Sequence, residues 1–162
     1  MKLHVLFSLA GAEYALPYDN VLQMESYTGA TPVPGAPAYV EGIVTVRGSV
    51  VPVLDLRTRF GLPRIEPTLD ARIIVTESEG RVVALRVDSA REVLKLDVEK
   101  HQPAPGIVSE RTSGFVHALH PLGKRLILLL DLPKLLGENS HDPQPRALPE
   151  DDGSITGFQL PA

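Results

Sequence analysis

The chain has 162 residues, with 16 Lys and Arg against 20 Asp and Glu, a formal net charge of −4, and 43% hydrophobic residues. That is ordinary globular composition and enough chain to bury a core without a staple, while the absence of Cys excludes disulfide frameworks, thiolate metal sites, iron–sulfur clusters and thiol nucleophiles. An isoelectric point near 5.7, no Trp, and only four Tyr and four Phe argue against a phosphate-neutralising or base-stacking surface.

The first twelve residues superficially imitate a secretory signal, with Lys2, a short apolar run and small residues. His4 and Ser8 break that run into an alternation, so it reads as a first β-strand. The predicted strands are this one at 5–9 and those at 14–16, 21–24, 50–54, 72–76, 82–87, 93–96 and 126–130, each rich in Val, Ile or Leu and bounded by Gly, Pro, Asp or Asn. Gly11 and the Glu79-Gly80 pair mark hairpin turns. Two one-turn helices are expected at 56–60 and 133–136, with Asp55 and Asp131 at the N-cap and Gly61 and Gly137 after the last turn. The most apolar stretch, 126–130, is far short of the roughly 20 residues that span a bilayer, so a soluble cytoplasmic protein without direct membrane insertion is expected.

An internal repeat organises these elements. Gly48-Ser-Val-Val-Pro-Val-Leu-Asp-Leu-Arg-Thr-Arg-Phe-Gly61 returns as Gly123-Lys-Arg-Leu-Ile-Leu-Leu-Leu-Asp-Leu-Pro-Lys-Leu-Leu-Gly137, and Gly11-Ala-Glu-Tyr-Ala-Leu-Pro-Tyr-Asp19 parallels Gly80-Arg-Val-Val-Ala-Leu-Arg-Val-Asp88. The expectation is an all-β domain over 1–137 made of two similar small barrels related by pseudo-symmetry. Their boundary is expected near 62–70, and a groove is expected between them. The tail 138–162 holds four Pro, five acids and one base, and reads as disordered. Removing it leaves the body balanced in charge.

No catalytic constellation emerges. His117 and His120 lie three apart among Gly114, Pro121 and Gly123, and read as loop or turn histidines; His4, His101 and His141 are isolated. There is no Gly-x-Ser-x-Gly elbow, P-loop or dinucleotide fingerprint. Asp55 and Asp131 occupy equivalent places in the repeat, which favours capping over paired catalysis. No catalytic residue, cofactor or metal site is expected. The conspicuous element is Arg47 in Gly42-Ile-Val-Thr-Val-Arg-Gly48, a guanidinium displayed at a sharp turn within an apolar frame, which suits an interface anchor.

The pattern Pro32-x-Pro34-Gly-Ala-Pro37-Ala-Tyr-Val-x-Gly42, the Arg47-Gly48 turn and Val51-Pro-Val-Leu-Asp-Leu56 together resemble the CheW family of bacterial chemotaxis coupling proteins. Leu85-Arg-Val-Asp88, Glu92-Val-Leu-Lys-Leu96, Pro103-Ala-Pro105 and 126–136 extend the resemblance over about residues 3–137. It implies two five-stranded SH3-like barrels. It also implies a non-catalytic adaptor between chemoreceptor cytoplasmic tips and the regulatory domain of a CheA-type histidine kinase. The family's receptor-binding groove carries over to Val21, Gln23, Arg47, Val50 and Val93; the kinase contact carries over to no particular residue. Where the family usually has Asn-Leu-Arg-Gly this chain has Thr45-Val46-Arg47-Gly48, and Gln23 replaces a common acid. The alternatives are a coupler of a type IV pilus, twitching or other chemosensory-like pathway and, more distantly, a nucleic-acid-binding small β-barrel.

Overall fold

Three X-Gly dipeptides set the local geometry. At Ala10-Gly11, Arg47-Gly48 and Glu79-Gly80 both residues have positive φ, between 52° and 84°. Each pair spans a two-residue hairpin of the type I′ kind, whose twist matches that of the strands it joins. The pairings Leu9↔Ala12, Val46↔Ser49 and Ser78↔Arg81 close these turns.

The computed structural model describes residues 1–137; the predicted disordered tail lies outside the described residues. The strands are β1 (Lys2–Leu9), β2 (Ala12–Pro17), β3 (Val21–Ser26), β4 (Val40–Val46), β5 (Ser49–Asp55), β6 (Arg72–Ser78), β7 (Arg81–Val87), β8 (Ser89–Leu96), β9 (Gln102–Pro103), β10 (Val116–Leu122) and β11 (Arg125–Leu130). Helices α1 (Leu56–Arg59), α2 (Gly106–Arg111) and α3 (Leu132–Leu136) are short. The first sheet runs β8-β1-β2-β11-β10-β9 and the second β3-β6-β7-β5-β4. The fold is all-β with two sheets, as expected, but the first has six strands rather than five because the two-residue β9 adds to its edge.

The sheets do not coincide with the two sequence repeats. The hairpin β1–β2 corresponds to β6–β7, and β3, β4 and β5 correspond to β8, β10 and β11, yet each hairpin pairs with strands of the other repeat. Parallel pairs β5–β7 and β11–β2 make the joins. Even the bulges match: the register slips between Val40 and Gly42 and again between Val116 and Ala118. The expected boundary at 62–70 is therefore corrected. That segment links α1 to β6 inside the second sheet, and the chain passes between sheets between β2 and β3 and again between β7 and β8.

Central strands are buried on both faces, which is why they read as nearly continuous apolar runs. On β7, Val83, Leu85 and Val87 join a large core shared by both sheets, while Ala84 points into the interior of the second. Val5, Phe7 and Leu9 of β1 enter the same shared core, and Leu6 turns into the interior of the first sheet. Helices α1 and α3 plug this shared core with Leu56, Leu132, Leu135 and Leu136.

Their ends are capped as the sequence predicts. Asp55 accepts from the Arg57 amide at 3.3 Å and the Thr58 hydroxyl at 2.8 Å, and Asp131 accepts from the Lys134 amide at 3.2 Å. Arg59 Nε donates to the Leu135 carbonyl at 2.9 Å and Arg81 Nη2 to that of Leu136 at 2.9 Å, satisfying the last turn of α3. Helix α2 and strands β4, β9 and β10 are additions to the predicted elements.

Candidate docking surface

Arg47 occupies the first position of the β4–β5 turn at φ 52°, and its neighbours Val46 and Val50 are buried and half-buried. The left-handed conformation belongs to the hairpin itself, since Ala10 and Glu79 adopt it at equivalent turns. Arg47 is exposed and has no hydrogen-bond or ion-pair partner among the described residues. An arginine held in αL by its turn and unpaired within its own fold is available to an external carboxylate, carbonyl or aromatic face.

The other predicted contact residues lie elsewhere. Val21 and Gln23 are on β3, an edge strand of the second sheet, and both are half-buried. Val21 packs against the shared core, and Gln23 Nε2 donates to Glu25 Oε2. The residues that β3 presents to solvent are Leu22 and Met24, 52% and 39% exposed. Sequence reasoning missed both because apolar residues occupy each parity of Val-Leu-Gln-Met, so alternation alone did not identify the outward face.

Val93 lies on β8, the edge strand of the first sheet, and is 42% exposed between Arg91 and Lys95 on the same face. The repeat makes β3 and β8 counterparts: Gln23 faces Val75 as Glu92 faces Leu6, so Met24 and Val93 are equivalent. Val21 and Gln23 stand at one edge of the second sheet, while the Arg47 hairpin closes the other. The structure thus distributes the five residues over three strands and a turn. None of the five lines the recesses beside Arg86, Tyr27 or Arg125.

Two of the arginines on this part of the fold are engaged internally. Arg125 bridges Glu13 at 3.0 Å and Glu92 at 2.6 Å on the first sheet. Arg57 pairs with Asp88 at 2.8 Å, and the Asp88 carboxylate also accepts from the Ala10 amide at 2.8 Å. Burial pushes the Asp88 carboxyl up, but the bond to Arg57 and that amide outweigh it and hold it below the ordinary value.

The loop assignment of His117 and His120 is corrected: both lie in β10, His117 exposed and His120 buried. Gly114 and Pro121 suggested a break, but the bulge after Val116 lets the strand continue. Among the described residues no group of three or more His, Asp or Glu side chains could hold a metal ion. No helix among them is long and apolar enough to cross a membrane.

The sequence matches the CheW-like domain family over residues 3–140. The chain belongs to the CheW-like family. Its relatives include the chemotaxis protein CheW of Rhizobium meliloti (strain 1021), 34% identical over 79% of this chain and 83% of that protein. The chemotaxis protein CheW of Bacillus subtilis (strain 168) is 32% identical over 84% of this chain and 87% of the relative. The crystal structure of the scaffolding protein TtCheW from Thermoanaerobacter tengcongensis superposes with a TM-score of 0.79 at 32% identity, covering 87% of this chain and 96% of that one. This CheW-like chain is a scaffold of chemotaxis signal transduction. Among the described residues, the β3 and β8 edges expose apolar side chains and the β4–β5 turn exposes Arg47.

Proposed function

We propose that this CheW-like chain couples chemoreceptors to a CheA-type histidine kinase without itself catalysing a reaction. The observation that carries the reading is the family match over 3–140, which spans both sheets. The surface agrees with it: apolar side chains on two equivalent edge strands and one unpaired, fixed arginine are the components of a protein-docking face.

In this proposal a receptor's helical cytoplasmic tip packs in helix-in-groove fashion, with Val50 and Val93 supplying apolar contact and Arg47 setting register. Val21 and Gln23 support the docking strand from its half-buried side. The kinase regulatory domain docks separately, and the scaffold works in the cytoplasm beside the receptors. Signal passes as a shift in the populations of receptor–kinase arrangements. A nucleic-acid role is disfavoured because the rings of Phe7, Tyr14, Phe60 and Phe115 pack on one another, stacked or edge to face, against the shared core.

The test is Arg47→Asp. Binding to a receptor cytoplasmic fragment is expected to fall at least about tenfold, as for loss of an interface anchor. The unfolding temperature should barely change, because Arg47 is exposed and makes no hydrogen bond or ion pair among the described residues. Undiminished receptor binding by this variant overturns the assignment of Arg47. Failure of the wild-type chain to bind any CheA-type regulatory domain from its own cell overturns the coupling role.

A further inference from the structure

Three histidines far apart in the sequence meet at one end of the first sheet's interior. The His4 and His101 rings are 5.8 Å apart between centroids and His101 and His120 5.0 Å, both edge to face. His4 shares its face of β1 with Leu6, and His120 shares its face of β10 with Ala118; both point into the small core inside the first sheet. His101 comes from the strap 97–103, which follows β8 with a 3₁₀ turn (Val98–Lys100) and ends in β9. Because β8 and β9 are opposite edges of the sheet, this strap closes the barrel.

Little else anchors the strap. Val98, Glu99, Lys100, Gln102 and Pro103 are exposed, and β9 contributes only the pairings Ala118↔Pro103 and Leu119↔Gln102. The half-buried His101 ring is its inward contact. His4 Nδ1 lies 3.0 Å from the Lys2 carbonyl, whereas His101 Nε2 and His120 Nδ1 are buried without a partner among the described residues. A neutral imidazole tolerates one bare nitrogen; an imidazolium must donate from both.

The surroundings oppose the charged form. Lys2 from β1 and His117 from β10 face the cluster, and Asp97 at the start of the strap is the carboxylate that favours protonated His101. Asp97 already caps the 3₁₀ turn through the Glu99 amide at 3.0 Å. Glu99 and Lys100 are exposed; β2 and β11 contribute the apolar Ala15, Ile127 and Leu129 to this interior, and the charged Glu13 and Arg125 on the same strands pair with each other. Burial first, then neighbouring positive groups, holds His4 and His101 below the ordinary imidazole value.

The second sheet supplies an internal control. The hairpin repeat makes Ile73 the counterpart of His4. The pairing Val44↔Val51 matches His120↔Ile127, which makes Val44 the counterpart of His120. The bridge Thr31↔Ile43 matches Gln102↔Leu119, which makes Ala30 the counterpart of His101. Ile73, Val44 and Ala30 belong to one apolar cluster. The fold therefore accepts hydrocarbon at all three positions, and the histidines distinguish the first sheet from its sister.

We propose that His4, His101 and His120 form an acid-operated latch: neutral, they hold the strap 97–103 against the first sheet; protonated, they release it while the second sheet stays folded. The latch is fully closed above about pH 6.5, where closed and open states are both neutral. Below that the open state takes up protons that the closed state refuses, and the latch weakens by about tenfold per pH unit for each proton gained, until the closed-state value is reached.

Hydrogen exchange of the full chain at pH 7.5 and 5.5, corrected for intrinsic rates, tests this. Protection of the 97–104 amides is expected to fall by at least about tenfold at the lower pH, with β4 and β5 changing less than about twofold. The sister-barrel variant His4→Ile/His101→Ala/His120→Val is expected to lose that pH dependence. Constant strap protection in the wild type, an equal fall in the variant, or parallel loss in β4 and β5 each overturns the latch. Ring titration by NMR decides the case even where the variant fails to fold. The His4 and His101 rings are expected to titrate below the ordinary imidazole value of about 6.5, and titration at or above it overturns the proposal.

Discussion

At the residue scale the most consequential interaction was invisible in the sequence. Glu41 accepts from the Tyr27 hydroxyl at 2.9 Å, Arg64 at 2.9 Å and Arg86 at 2.8 Å, while Arg86 Nη2 donates to the Ile65 carbonyl at 2.5 Å. This network ties the connection 62–70 to the interior of the second sheet. Burial pushes the Glu41 carboxyl up, but its bonds to Arg64 and Tyr27 and the two arginine charges overcome that and leave it below the ordinary value. Its stabilisation is therefore present above about pH 4.3 and lost as pH falls through the folded-state value. Arg86→Met is expected to lower stability at pH 7 by about 3 kcal/mol by leaving a buried carboxylate short of a partner. Urea unfolding at pH 7 and pH 3.5 checks the sign: the gap between wild type and variant narrows at the lower pH.

Elements whose signal was local were legible, and those that depended on partners were not. Helices α1 and α3 announced themselves by Asp at the cap and Gly after the last turn, and the structure places both as read. Asp55→Ala is expected to cost about 2 kcal/mol and Asp131→Ala about 1, measured by chemical denaturation. The difference arises because Asp55 is buried and also accepts from the Thr58 hydroxyl, whereas the bond that Asp131 accepts from the Lys134 amide is exposed. Helix α2 has no side-chain cap and no buried residue, so it carries neither signal. Strand β10 is interrupted in composition by His117, His120 and Pro121, and exists because β11 pairs along it.

At the scale of the molecule, exchange of strands between repeats makes the two sheets one cooperative unit. Each hairpin completes its sheet only with strands from the other half of the chain, and the largest core lies between the sheets. A single unfolding transition is expected. Fragments divided between 62 and 70 should each be unfolded alone, yet recover the strand signal by circular dichroism when mixed. An independently folded fragment would show that the exchanged pairing is dispensable.

The sequence by itself determined the all-β class, the repeat, the capped helical turns, the Arg47 turn and, through its motifs, the resemblance to the CheW family. These follow from short-range chemistry: alternation, caps and the backbone freedom of glycine. Only the tertiary structure decided which repeat pairs with which, that β3 shows Leu22 and Met24 outward while Val21 turns toward the core, and that His4, His101 and His120 share one interior. Those outcomes depend on pairing between strands distant in the chain, where either parity of an apolar run can be the buried one until its neighbour is fixed.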